Sequence, residues 1–400
     1  MNKIRQMLLY YPVCLAILAV FTFFSNLDIY IFDSGLGPPP STLIIGFDIA
    51  CIPLLFSIFK KFKYISKELI IWCIFYAITA LLYLNFFTKI SEITIQELET
   101  RTLSVIFIMT MHFIFSQSKI VQNFTRAAII IVSIISVLNI FAELADPLIF
   151  AGLNETGRPA GWYINPNIAG GALNLGIIFG VTLLPRVYRI PFIIFIGIGV
   201  FLTFSRGAIS CWALIVMLLM INRLITGNQL LRWLVGIGII NFFISSVIAD
   251  ALGNVSLLND NIRGRLVWLQ DPSARDAEGD TGRIDIVEIG WRLFLKNPII
   301  GNGLASTQTW SQPIATHNMY LNLMIDHGIL GIVIMPLLIY SVIYKAREEA
   351  HRLGFIFAVF TLLYCIFSHN LLEERYMLVS YSLMAAMTMQ SRIHDTGKTI

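Results

Sequence analysis

Charge is what this chain has least of. Across 400 residues only 13% are Asp, Glu, Lys or Arg, about half the share of a typical soluble domain. Cysteine is scarce as well. Cys14, Cys51, Cys73, Cys211 and Cys365 all fall in apolar runs rather than loops, so neither a disulfide nor a structural zinc site is expected. No HExxH, Walker A or GxGxxG pattern occurs, which argues against ATP hydrolysis and nucleotide-linked redox chemistry. The acidic stretch from Asp276 to Asp280 lacks the ligand order of a calcium loop. No metal, cofactor or nucleic-acid partner is expected.

Hydrophobic residues take the place of charge, at 57% of the chain. Runs of about 20 apolar residues, each enough to cross a ~30 Å hydrocarbon core, recur from end to end. They are continuous rather than alternating, which excludes a β-barrel. The expected fold is an all-α polytopic membrane protein with about 12 transmembrane helices. The spans fall near 7–24, 41–59, 68–88, 102–117, 127–145, 167–185, 190–204, 208–222, 233–249, 317–341, 353–369 and 377–390. The first run follows Lys3 and Arg5 without a small-x-small cleavage site, so it reads as a retained helix. The chain thus divides into spans over 1–249, one large outer loop over 250–316, and a last group of spans with a short tail over 317–400.

Basic residues orient these spans. Most of the 28 lysines and arginines fall in alternate segments that include both termini, whereas the short outer loops hold only Lys89, Arg101, Arg158, Arg206 and Arg375. That bias places the termini in the cytoplasm and the large loop on the opposite face. The loop also carries Arg263, Arg265, Arg275, Arg283, Arg292 and Lys296. Its second half, Gly282 to Lys296, has the spacing of an amphipathic helix, stopped by Asn297-Pro298 and followed by a Gly301-Asn302-Gly303 turn.

A few residues in these loops carry the potential for chemistry. Arg206, in Phe204-Ser205-Arg206-Gly207, sits in a turn too short to be a soluble loop. It is either a snorkelling end-cap or a ligand for an anion. Arg283 opens the loop helix, where a guanidinium and free helix amides would together attract an anion; an ion pair with Asp280 or Asp285 is the plainer alternative. Arg158 begins Arg158-Pro-Ala-Gly-Trp162-Tyr163-Ile-Asn165-Pro-Asn167. Its aromatics suit either an interfacial belt or a sugar ring, with Asn165 and Asn167 placed for hydroxyls. His317 heads the tenth span, and imidazole titrates near neutrality, so it can take a proton from a hydroxyl nucleophile. Asn318, Asn322 and Asp326 follow at i, i+4, i+8, a polar stripe that must face protein or water rather than lipid. Tyr320 lies in the same first turn and joins Asn318 as a candidate substrate contact. A transporter or flippase would instead place ionisable groups at mid-membrane, for which Asp48 and His112 are the candidates.

In that order, these segments resemble the O-antigen ligase and O-antigen polymerase superfamily of bacterial membrane glycosyltransferases. The matching elements are Arg158 to Asn167, Ser205-Arg206-Gly207, Gly282-Arg283, Pro298-x-x-Gly301-x-Gly303, His317-Asn318 and Gly328-x-x-Gly331. The resemblance implies a metal-independent enzyme of the inner membrane with its active site on the periplasmic face. Its donor would be a glycan on undecaprenyl pyrophosphate. Its acceptor would be a sugar hydroxyl of the lipid A core in a ligase, or a growing lipid-linked polysaccharide in a polymerase. Arg206 and Arg283 would bind the pyrophosphate, and His317 would activate the acceptor. One dominant outer loop favours the ligase, whereas the Asn-Pro-Asn segment points towards the polymerase.

Overall fold

The computed structural model describes residues 2–55, 64–86, 90–150, 152–154, 157–231, 279–310 and 316–396. The expected span over 233–249 and the polar first half of the large loop lie outside them. Helices make up all the regular structure among the described residues. In chain order they are α1 (Asn2–Ala19, extended by a π turn over Val20–Phe24), α2 (Leu27–Asp33), α3 (Pro40–Leu55), α4 (Lys67–Phe86), α5 (Glu92–Phe115), α6 (Lys119–Ala145) and α7 (Pro166–Gly180). Then follow α8 (Arg186–Leu202), α9 (Arg206–Ile221), α10 (Gly279–Lys296), α11 (Met319–His327), α12 (Gly331–Ile343), α13 (Glu348–Tyr364) and α14 (Arg375–Thr396).

The expectation of about 12 spans is corrected by this structure. Among the described residues four helices are long and apolar enough to cross a membrane: Lys67–Leu84, Glu92–Phe115, Lys119–Ala145 and Met319–Ile343. A fifth is reached only if Tyr10–Phe24 and Leu27–Asp33, bent by 52°, count as one span. The physical reason is length and environment. α7, α8 and α9 have 15, 17 and 16 residues, so at 1.5 Å per residue they reach about 23–26 Å, short of a ~30 Å core. α14 is apolar for another reason. From Tyr376 to Met387 it is buried all round by protein, as a central core helix is.

Two of these four helices begin earlier than the spans expected from their apolar runs. α5 starts at Glu92 on a capping box, in which Ser91 Oγ accepts from Thr94 N at 3.3 Å and Ser91 N donates to Thr94 Oγ1 at 2.8 Å. Arg101, expected in a short outer loop, therefore lies within a helix and is buried. α6 likewise starts at Lys119, with Val121 N donating to Ser118 Oγ at 3.2 Å.

The chain forms two compact units, one of residues Met1–Ala128 and Ala277–Ile400, the other of Ile129–Asp276. In the first, α14 packs on α5: Ser382 Oγ donates to the Ile108 carbonyl at 2.9 Å. His112 belongs to the same contact. Its Nε2 accepts from Ser66 N at 2.9 Å and its Nδ1 faces the Ser382 carbonyl at 3.3 Å. Both nitrogens are engaged in packing, which removes one of the groups a transporter would need. In the second unit, small residues allow α7, α8 and α9 to approach closely, with Gly170 against Ala208 and Gly197 against Trp212.

Candidate active site

Each unit gathers one group of the expected residues. In the unit over 129–276, the stretches 158–167 and 203–208 come together. Asn165 caps α7 by accepting from Asn167 N at 2.9 Å, and Pro166 takes the first helical position. Ser205 caps α9 by accepting from Ala208 N at 3.4 Å, and donates its hydroxyl to Asn167 Oδ1 at 2.8 Å. The starts of α7 and α9 are thus tied by one side-chain bond. Arg158 is buried, with Nη1 donating to the Phe204 carbonyl at 3.4 Å. Arg206 occupies the first position of α9 and is half-buried, beside amides that have no intrahelical acceptor.

A residue with no sequence signal holds this loop in place. Glu143, near the end of α6, accepts from Ala160 N and Gly161 N at 2.7 and 2.6 Å and from Asn154 Nδ2 at 3.1 Å. Gly161 has φ +58° and its α-carbon faces Asn139 closely, so a side chain would not fit. Ile164 and Phe204, flanking the two caps, also have positive φ, at 61° and 50°, a conformation costly for residues with a β-carbon. Tyr163 is buried and is closed to a sugar; Trp162 is half-exposed.

In the unit over 1–128 and 277–400, α10 packs on α11 through Phe294, Leu321 and Ile325, flanked by Leu293 and Met324. The close approach is at Gly290, where an added β-carbon would press on Leu321, Ile325 and Thr316 at 3.0–3.3 Å. α10 begins at Gly279, so Arg283 stands in its second turn rather than opening it. Counting from 283 to 290, two turns or roughly 10 Å of helix separate Arg283 from the residue that meets Thr316.

His317 precedes α11 with φ 49° and is half-buried. Asn318 caps the helix, its Oδ1 accepting from Leu321 N at 3.1 Å. Met319 N, an orphan donor of the first turn, is satisfied by the Cys365 carbonyl at 2.8 Å. The Tyr320 hydroxyl donates to the Leu362 carbonyl at 3.0 Å. Asn318 and Tyr320 thus fix the turn that presents His317, clamping it to the end of α13. The ring of His317 meets that of His369 edge to face, with centroids 5.4 Å apart.

The polar stripe on α11 does face inward, and it leads to residues that sequence reasoning missed. Asn322 Oδ1 accepts from Thr307 Oγ1 at 2.5 Å. Asp326 Oδ2 accepts from Arg101 Nη2 at 2.8 Å, while its Oδ1 accepts from Ser306 N at 3.0 Å. Arg101 also donates to Glu97 Oε1 and to His327 Nε2, both at 2.6 Å, and Gln308 donates to Glu97 Oε2 at 2.7 Å. Beneath this network Gly301 and Gly328 meet back to back at φ +89° and +61°. Asn302 N donates to the Ile325 carbonyl at 2.8 Å, and Ile329 N to the Pro298 carbonyl at 2.9 Å. This explains the glycines at 301 and 328: each α-carbon lies against the other segment's backbone, and neither tolerates a side chain. The result ties residues 298–302 to the end of α11.

After α13 the loop carries two carboxyls, Glu374 buried and Glu373 half-buried. Burial, and then the nearby Glu97 carboxylate, push Glu373 up to about 8. Burial pushes Glu374 up to about 7 against the opposing pull of Arg375.

The fold and these groups define a multi-pass helical membrane protein with an arginine at the start of α9 and a histidine just before the cap of α11. Within it, residues 191–335 match the family model Wzy_C, described as O-antigen ligase. The match includes Arg206, Arg283, His317 and Asn318 and stops short of Arg158, Arg101 and His369. No curated protein and no solved structure matches the chain.

Proposed function

We propose that this protein is an O-antigen ligase-type glycosyltransferase. It moves a glycan from undecaprenyl pyrophosphate to a sugar hydroxyl of the lipid A core on the periplasmic face of the inner membrane. The observation that carries the reading is the presentation of His317. It stands half-exposed at the head of α11, in a turn fixed by Asn318, Tyr320 and the Cys365 carbonyl, beside the helix that bears Arg283.

In this reading His317 accepts the proton of the acceptor hydroxyl. The hydroxyl oxygen bonds to the anomeric carbon, and the bond from that carbon to the pyrophosphate breaks, its electron pair leaving with the pyrophosphate. Arg206 and Arg283 neutralise the charge that develops on the leaving group, as fixed guanidinium forks do for phosphate oxygens. Activation lies in the donor itself, so no nucleotide is consumed. Arg158, Asn165 and Asn167 shape the mouth of α7 and α9; Asn318 and Tyr320 position the base.

The test is transfer in a reconstituted membrane, with a lipid-pyrophosphate-linked glycan as donor and lipid A core as acceptor. His317→Ala is expected to lower the rate about 10²–10⁴-fold while the protein remains folded. Near-normal transfer by that variant overturns the base assignment. Lengthening of the lipid-linked glycan in the absence of lipid A core identifies a polymerase instead.

A further inference from the structure

A second imidazole stands at the same place. His369 lies on the connection between α13 and α14, outside the stretch that matches the family. Its ring meets His317 edge to face at 5.4 Å and 82°. The connection is held in that position from both sides. The Cys365 carbonyl receives Met319 N at 2.8 Å. Ser368 Oγ donates to Asn370 Oδ1 at 2.9 Å, and Asn370 Nδ2 donates to Glu374 Oε1 at 2.5 Å.

His369 itself receives no hydrogen bond from any described residue, and its Nδ1 is buried without a partner. Buried polar atoms are nearly always paired, and an exception asks for an explanation. Burial, and then the neighbouring His317, push His369 down to about 4. At neutral pH it is an uncharged ring with one donor and one acceptor. Such a ring does not compete with His317 for the transferred proton. Because Nδ1 is enclosed, the nitrogen it can offer to a hydroxyl is Nε2, on a ring that is only half-buried.

We propose that His369 is a substrate contact of the acceptor subsite, binding a sugar hydroxyl next to the one that His317 deprotonates. The two imidazoles stand side by side, with ring centroids 5.4 Å apart, so the ligand class is a sugar that presents more than one hydroxyl. The inference rests on the reading of His317 as the base.

The experiment uses the full-length protein in lipid nanodiscs, with lipid A core free of O-antigen as the acceptor probe. His369→Phe keeps the ring and its packing but removes both nitrogens. It is expected to raise the acceptor KM about tenfold, the scale of one lost hydrogen bond, and to leave the donor KM unchanged. His369→Gln restores part of the loss. An unchanged acceptor KM, or an equal rise for donor and acceptor, overturns the proposal. Where the Phe variant does not fold, His369→Ala carries the same expectation. Binding of fluorescent lipid A core to His317→Ala, alone and combined with His369→Phe, reads the subsite without turnover. Activity retained by His317→Ala sinks the base assignment, whereas equal binding by those two proteins sinks the role of His369.

Discussion

Arg101 and Asp326 are 225 residues apart in sequence and meet at 2.8 Å inside the helical bundle. Side-chain exposures of 3% and 2% leave neither group to solvent. The pair joins α5 to the end of α11, and through Ser306 it fixes the connection that leads from α10. Removing one partner from a buried pair leaves an uncompensated charge, which costs about 3–5 kcal/mol, whereas removing both costs far less. Arg101→Met alone should therefore lower the thermal midpoint in detergent more than Arg101→Met with Asp326→Leu. A double variant no more stable than the single one would show that the pair is not the unit of stabilisation.

The two glycines beneath that pair make a sharper test. Gly328 has φ 61° and ψ −145°, a region essentially closed to residues with a β-carbon. A β-carbon there would also strike the backbone of Ile299. Gly328→Ala should destabilise the protein by at least about 1–3 kcal/mol. Gly46, within α3, has nothing within 4 Å of the same position. Gly46→Ala should be neutral or stabilising by about 0.5–1 kcal/mol. Comparing the two midpoints in thermal unfolding decides whether backbone apposition, rather than helix propensity, governs position 328.

One feature of the helix that follows His317 was legible in the sequence. The stripe of Asn318, Asn322 and Asp326 follows from helix periodicity alone, and its inward face is borne out by the partners of Asn322 and Asp326. The number of spans was not legible. Apolar run length does not separate a helix in lipid from one sheathed by protein, as α14 illustrates. Arg101 was hidden because Glu92 to Arg101 reads as a polar loop, although Ser91 and Thr94 form a capping box that marks the helix start. Glu97 and Arg101 at i, i+4 were the remaining local signal. Glu143 and His369 left none, because their roles depend on contacts distant in sequence.

Glu373 ties stability to pH. Its carboxyl is raised from 4.5 to about 8 in the fold, so between those values the native state holds a proton that the unfolded chain has released. Stability from this group is complete below about pH 4.5 and is lost as pH rises through 8. Thermal midpoints of the detergent-solubilised protein should fall across that window. Glu373→Gln, which mimics the protonated form, should flatten the fall and exceed the native protein at pH 8 or above. Parallel curves for the two proteins would locate the pH dependence elsewhere.

In the proposed reading Arg206 and Arg283 bind the pyrophosphate from different local settings, and lysine substitution separates charge from shape. Arg206 begins α9, where the helix dipole already favours an anion, so part of its anion attraction would survive with any cation. Arg283 stands in the second turn of α10, away from the free amides, and depends on its own guanidinium. A planar fork binds two phosphate oxygens at once; an ammonium is a point charge. Arg283→Lys should therefore lower transfer about 10²–10³-fold, and Arg206→Lys should lower it less. The measurement is the initial rate at saturating donor, alongside the donor KM. A fall in rate with an unchanged donor KM assigns the fork to the transition state, where the charge on the leaving group is greatest. Equal and full activity in both lysine variants would remove the two arginines from the mechanism.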